Sequence, residues 1–139
     1  MDLMKIPLRL ARVLPGSYSL SEHFAASEFA CRHCGKVFIT PPLLVMLEKL
    51  RSLAGVPLTI CSGYRCPTHN RAIGGAPHSK HCLGMAVDIA VPDKYRDNPA
   101  YFIEAVETVV KEVHGGYHYY PAGHFIHMDC WVWPPDRRW

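Results

Sequence analysis

The sequence has no long apolar run. None of its stretches approaches the roughly 18 consecutive apolar residues that a membrane-spanning helix requires, so we predict no membrane span. Lys5, Arg9 and Arg12 interrupt the first twenty residues, which therefore lack the apolar segment of about 7–15 residues found in a secretory signal. We accordingly expect the chain to be cytoplasmic at synthesis.

Strong charge and low-complexity sequence are lacking as well. The formal net charge is only +3 over 139 residues, and no run of Lys or Arg is longer than a pair. Nucleic-acid-binding chains usually carry denser basic patches, so we predict no nucleic-acid partner. No repeat or linker divides the chain. We predict an irregular segment at residues 1–20, one domain at residues 21–139, and a monomer.

Cysteine and histidine, in contrast, are abundant, with six and nine residues respectively. Cys31 and Cys34 form a CxxC pair, but a zinc ribbon needs a second such pair, and Cys61 and Cys66 are spaced CxxxxC. Small buried thiols with one disulfide at most fit this spacing better than a structural zinc site. A zinc-finger protein that binds metal through these four cysteines is the least favoured functional alternative.

Apolar periodicity predicts an α+β fold in which helices pack on a small antiparallel sheet. A helix is predicted from a capping Thr40 to Ala54, and a second one over residues 99–113. The first helix has apolar residues at helical spacing: Leu43, Leu44, Leu47, Leu50 and Leu53. Strands are predicted at residues 56–62 and 84–91, and a hairpin around residues 121–123.

The strand predicted at residues 84–91 has two very different faces. The first face is apolar and carries Met85, Val87, Ile89 and Val91. The second face has only small residues around one carboxylate: Gly84, Ala86, Asp88 and Ala90. Small side chains leave room for a ligand, so this strand is predicted to form the floor of a cleft. A carboxylate there needs a hydrogen-bond donor or a cation.

Histidines surround that carboxylate in the pattern of a metal site. Zinc in hydrolases is usually held by three protein ligands and a water. A turn just before the strand would bring His81 and Asp88 to one ion, and a third ligand should come from another strand. The segment HFIHMDC offers His124, His127 and Asp129. From the residues alone, hydrogen-bonded histidines and a turn-capping aspartate are equally good explanations.

Two segments resemble a known family of enzymes. SGYRCPTHNRAIGGAPHSKHCLGMAVDI and HFIHMDC are similar to the zinc D-Ala-D-Ala carboxypeptidases and murein endopeptidases, in particular to a compact, phage-endolysin-like branch. The family pattern comprises SGYR, a GG loop, SxHxxGxAxD and a strand with HxD, here at residues 62–65, 74–75, 79–88 and 127–129. The resemblance extends from about Phe24 to Trp139.

The resemblance implies a hedgehog/D-Ala-D-Ala-peptidase-like fold with one Zn²⁺ per chain. By family analogy His81, Asp88 and His127 are the metal ligands. The implied activity is hydrolysis of peptidoglycan stem-peptide bonds next to D-amino acids, either as a carboxypeptidase or as an endopeptidase. Such an enzyme acts on the cell wall, so we expect it to reach the wall by phage or prophage release, or by an unrecognised export route.

The resemblance also suggests roles for other residues. Arg65 is expected to stabilise the oxyanion or to bind a terminal carboxylate, and Ser79 and Tyr64 are expected to contact the substrate. Related branches have a catalytic carboxylate three residues before the last zinc histidine, where this chain has His124. We therefore predict His124 as the base.

Two alternatives accompany these roles. Asp129 either acts as the base itself or orients a zinc ligand, and His118 is the remaining candidate base. Because position 124 lacks the carboxylate, the alternative function is a catalytically inactive, zinc-containing module that binds the cell wall.

Overall fold

A computed structural model describes residues 18–130 of the chain, in which three α-helices and four strands follow one another. In chain order they are α1 (Pro41–Ala54), β1 (Ile60–Ser62), α2 (Pro67–Ala72), β2 (Ala86–Ala90), α3 (Ala100–Lys111), β3 (Tyr117–Tyr120) and β4 (Phe125–Asp129). The strands form one antiparallel sheet in the order β1-β2-β4-β3. This arrangement confirms the predicted α+β fold.

Helix α1 has the predicted bounds, but Thr40 acts differently from the prediction. The helix starts at Pro41 and ends at Gly55, whose φ of 72° is the left-handed conformation that glycine adopts most easily. The Thr40 hydroxyl does not cap the helix and instead donates to the carbonyl of Gly84, at 3.0 Å. It thereby ties the start of α1 to the segment that leads into β2.

One face of the sheet and the two long helices enclose the core. Val87 and Ile89 of β2 and Ile126 and Met128 of β4 are fully buried on this face. They pack in one cluster with the buried residues of α1 and α3, among them Leu47 and Phe102. Leu53, predicted as part of the apolar stripe of α1, is 55% exposed. The opposite face of the sheet is left to the polar residues described below.

The remaining boundaries differ modestly from the predicted ones. Of the strand predicted at residues 56–62, only Ile60–Ser62 forms a strand beside β2, and the second long helix is two residues shorter at its C-terminal end. The segment predicted as mostly loop contains α2. Most of the predicted irregular segment, and the end of the predicted domain after residue 130, lie outside the described residues. Within those residues, no helix is long and apolar enough to cross a membrane.

Candidate metal centre

The register of the sheet places four polar residues in one row. Ser62 lies opposite Asp88, Asp88 opposite His127, and His127 opposite His118. Residues directly opposite on neighbouring strands point to the same face, which here is the face turned away from the core. The neighbours of Asp88 on β2, Ala86 and Ala90, have small side chains on this face, as the alternation in the sequence predicts. We call it the open face because it lies away from the core.

His81 reaches the same face from a short helix that precedes β2. This 3₁₀ helix, Lys80–Leu83, begins at Ser79, whose hydroxyl accepts a hydrogen bond from the His81 N–H at 3.2 Å. It ends at Gly84, where φ is 69° and any Cβ would lie 2.5 Å from the Phe38 carbonyl oxygen. The glycine of the motif is therefore required for the turn that brings His81 to the strand.

The two histidines converge on one carboxylate oxygen. His81 Nε2 lies 3.3 Å and His127 Nδ1 3.2 Å from Asp88 Oδ1. The ligand atoms of these three residues all lie within 4.8 Å of one another. We call these three residues the triad.

The other nitrogen of each ring has an acceptor of its own. His81 Nδ1 is 2.8 Å from the carbonyl oxygen of Gly63, and because a carbonyl only accepts, Nδ1 must carry the proton. His127 Nε2 is 2.9 Å from Asp129 Oδ2. Each ring can therefore direct a lone pair at the common point, as metal-bound histidines do. Two imidazoles and one carboxylate form a donor set that suits zinc and leaves a fourth position for water.

Contacts within the triad shift the pKa values of Asp88 and His127 against the effect of burial. Burial alone would raise the pKa of Asp88, but hydrogen bonds and charge from His127 and His81 outweigh it and hold this pKa far below its ordinary range. Burial alone would lower the pKa of His127, yet Asp129 and Asp88 raise it to about 9. Asp88 is therefore ionised, and its carboxylate supplies the negative charge that a bound cation would contact.

Arg65 borders the triad, as its place in the SGYR motif predicts. Its Nη2 lies 4.0 Å from Asp88 Oδ2, and its Nη1 donates to Asn70 Oδ1 at 3.0 Å. Its buried Nε has no hydrogen-bond partner among residues 18–130. A Cβ at Gly75 would lie 2.0 Å from Asn70 Oδ1, which explains the glycine at this point of the loop. Asn70 was not among the residues predicted for the site, and only its place in that loop pointed to it.

Asp129 has both carboxylate oxygens occupied. Oδ2 faces His127, while Oδ1 accepts from Lys80 Nζ and from the Gly116 N–H, each at 3.0 Å. Burial would raise the pKa of Asp129, but these contacts, led by the one with His127, lower it. This arrangement supports orientation of His127, one of the two roles considered for Asp129. Lys80, next to His81 in the motif, is a contributor that the sequence interpretation overlooked.

The structure does not bring His124 to the triad. His124 is exposed in the turn between β3 and β4, with φ at 52°, and its backbone bonds to Pro121 and Val91. It lies three positions before His127, which corresponds to roughly 10 Å along an extended strand. His118 lies directly across from His127 instead. The register therefore places His118, and not His124, beside the triad. The identity of the catalytic base stays a prediction.

Ser79 and Tyr64, predicted to contact substrate, support the loops around the triad. Ser79 anchors the His81 turn, as described above. The Tyr64 ring stacks on Phe38, with centroids 5.3 Å apart and planes 15° apart. Contact of either residue with substrate stays a prediction.

A second group of ligand-type side chains lies in the loops. The Sγ atoms of Cys31, Cys34 and Cys66 are all within 4.8 Å of one another. Cys61, which the zinc-finger alternative required as a fourth ligand, is not in this group. Each of the three is a free thiol. Cys66 therefore lies beside the CxxC pair, although the CxxxxC spacing of Cys61 and Cys66 does not indicate a metal-binding cysteine.

Comparison with known proteins identifies one family. The family model described as peptidase M15 matches residues 22–129, most of the chain, and the matched range includes the triad, Arg65 and Asp129. A search of curated proteins finds no match.

Proposed function

Since this chain belongs to the peptidase M15 family, whose members are zinc peptidases, we propose that it is a peptidase that uses one zinc ion bound by His81, Asp88 and His127. The observation that carries the proposal is the convergence of three ligand atoms within 4.8 Å on the open face of the sheet. Zinc bound there would polarise a scissile carbonyl and lower the pKa of water.

We propose further that the substrate is the stem peptide of peptidoglycan, cleaved next to a D-amino acid. Arg65 supports this choice, because its guanidinium borders the triad and its buried Nε–H has no partner within the described part of the chain. A guanidinium in this position suits either the developing oxyanion or the carboxylate at the end of a peptide. Carboxypeptidase and endopeptidase activity differ in which of these groups Arg65 would bind.

Asp129 is proposed as the residue that positions His127, because its two oxygens already bind His127, Lys80 and the Gly116 N–H. For proton transfer we propose His118, which would take a proton from the attacking water and return it to the leaving amine. Its position opposite His127 on the open face supports this role. The alternative base is His124, which the family resemblance suggests.

The first experiment is elemental analysis of zinc combined with amine release from purified peptidoglycan, before and after chelation. We expect release that chelation stops and added zinc restores, and loss of both zinc at the triad and release in His81→Ala. His78→Ala, an exposed histidine three residues away, is the matched control. Full release by the chelated protein would contradict the proposal.

The base is identified by a second set of variants. We expect His118→Ala to lose turnover with zinc retained, and His124→Ala to stay close to the unsubstituted protein. The opposite result would restore His124 as the base. If both variants keep full activity, neither histidine transfers the proton.

A non-catalytic role is the second candidate function. It is favoured by the absence of a carboxylate at position 124 and by the exposure of the histidine found there. A wall-binding module of this fold would bind zinc and muropeptides but release no amine. Zinc-dependent muropeptide binding without turnover would establish that alternative.

A further inference from the structure

The thiol group of Cys31, Cys34 and Cys66 lies outside the chemistry described so far. We propose that these three cysteines bind a second zinc ion, which is structural, and that His33 supplies the fourth ligand. In a tetrahedral site with Zn–S bonds of about 2.3 Å, sulfur atoms are roughly 3.8 Å apart. The three Sγ atoms, all within 4.8 Å of one another, need only small shifts to reach that spacing.

The loop between Cys31 and Cys34 is built to present both sulfurs. The Cys31 N–H donates to the Lys36 carbonyl and the Gly35 N–H to the Cys31 carbonyl, each at 2.8 Å. Gly35 has a φ of 74°, the left-handed conformation that closes this tight turn. The turn fixes the two thiols of the CxxC pair on the same side before any metal binds.

Backbone N–H groups point at the sulfurs. Cys31 Sγ accepts from the Cys66 N–H at 3.3 Å, and Cys66 Sγ accepts from the His69 N–H at 3.4 Å. Such donors stabilise the thiolate, which is the form that binds metal. On zinc binding each thiol would release its proton to water.

An imidazole stands beside the thiols. His33 Nδ1 lies 3.3 Å from Cys66 Sγ, and its ring stacks on that of His69, with centroids 6.3 Å apart and planes 2° apart. His33 is exposed and its ring nitrogens lie outside the group of atoms that are all within 4.8 Å of one another, so the ring has to turn to complete a Cys₃His set, which fills all four positions of a structural zinc. The triad offers three ligands and leaves the fourth position for water, whereas the proposed thiol site leaves no position open for chemistry.

The proposed ion would join the Cys31–Cys34 loop to the loop of Arg65. Cys66 follows Arg65 directly, and the Tyr64 N–H already donates to the Phe29 carbonyl at 2.9 Å. Arg32 Nη2 donates to the Cys61 carbonyl at 2.6 Å. A metal bridging these loops would hold the backbone of Arg65 in place without touching the substrate.

Metal content tests the proposal on the full chain. We expect two zinc ions per chain in the unsubstituted protein, one in Cys66→Ser, and two in the matched control Cys61→Ser. His81→Ala should also retain one ion, but at the thiols. Loading with Co²⁺ separates the sites, because only the thiol site gives thiolate-to-cobalt charge-transfer absorption. That absorption should persist in His81→Ala and disappear in Cys66→Ser.

A measurement on the unsubstituted protein avoids any folding defect of the variants. A mercurial reagent that titrates thiols should release one zinc per chain to a chromogenic chelator and leave the other bound. The proposal is overturned if no zinc is released, if Cys66→Ser keeps both ions, or if a disulfide joins two of the three cysteines. Loss of the ion in His69→Ala but not in His33→Ala would overturn the assignment of the fourth ligand. These outcomes are independent of whether the triad binds zinc or the chain cleaves peptidoglycan.

Discussion

The triad and the thiol group are both sets of converging ligands, but the fold holds them together in different ways. The triad stands on β2 and β4, where cross-strand register fixes Asp88 opposite His127, and one short helix adds His81. The thiol group joins two loops across more than thirty residues of sequence. A site on strands inherits the rigidity of the sheet, whereas a site on loops needs the bound ion to provide it.

The charges of the two groups differ as well. In the triad, Asp88 lies between two histidines, while the Asp129 carboxylate lies between the His127 ring and the Lys80 ammonium group. The thiols are held by N–H···S contacts of 3.3–3.4 Å, which are weaker than charged hydrogen bonds. Removing metal should therefore leave the triad assembled but loosen the loops that carry the cysteines.

The largest effect is expected from Asp88→Asn. The substitution keeps the shape of the side chain but removes the anionic ligand, so zinc at the triad and amine release should both be abolished. Cobalt absorption from the thiols should be unchanged. Asp97→Asn, at an exposed aspartate, is the control. Full activity of Asp88→Asn would remove the carboxylate from the site.

Arg65→Ala should have the next largest effect, on turnover alone. Loss of a donor to the developing oxyanion costs on the order of 100-fold in kcat, while both zinc ions stay bound. Arg65→Lys should recover little, because a lysine cannot reproduce the forked geometry that also reaches Asn70. Arg71→Ala, an exposed arginine on α2, serves as the control, and an unchanged rate in Arg65→Ala would contradict the role.

The pairing of His81 with Asp88 could be predicted from the sequence because its determinants are local, whereas His127 was assigned only through the family resemblance, since its place depends on the register of β4 against β2. Asp88 lies seven positions after His81, and a glycine-closed turn followed by alternation along one strand accounts for that spacing. The helix bounds likewise follow from apolar periodicity and from Gly55. In these cases the chain near each residue determines where its side chain points.

The features that escaped prediction depend on contacts between distant segments. The bond of Thr40 to Gly84 replaces the expected helix cap, and it requires that the start of α1 lie against the turn before β2. The position of His118 depends on the register of β3 against β4. Cys66 meets the CxxC pair only because two loops pack together. None of these juxtapositions is encoded in local spacing.

A smaller effect is expected from Asp129→Asn. Residues that hydrogen-bond to a metal-bound histidine typically contribute about 10–100-fold to metal affinity. We therefore expect the zinc affinity of the triad to fall by that factor in a chelator competition, while the affinity of the thiol site stays constant. Because the amide can still accept a hydrogen bond from His127 Nε2, Asp129→Ala should lose more. Equal loss at both sites would indicate a general disturbance of the fold.

The smallest effect is expected in the pH dependence of stability, to which His127 of the triad and Cys31 of the thiol group contribute with opposite signs. In the chelated protein the pKa of His127 is about 9, above the value near 6.5 expected when unfolded, so its stabilisation is complete below pH 6.5 and is lost as pH rises through 9. Burial would raise the pKa of Cys31, but backbone N–H groups of Cys66, Cys34 and His33 lower it to about 7. Its stabilisation is therefore complete above about pH 9 and is lost as pH falls through 7.

The two contributions oppose each other between pH 7 and 9, so they must be separated by variants. In urea unfolding of the chelated protein, we expect the stability of Cys31→Ser to fall with rising pH by on the order of 2 kcal/mol, because the contribution of Cys31 no longer opposes that of His127. In His127→Gln the remaining slope should have the opposite sign. Parallel pH profiles for the two variants would contradict the inference that His127 keeps its contacts with Asp88 and Asp129 when the metal is removed.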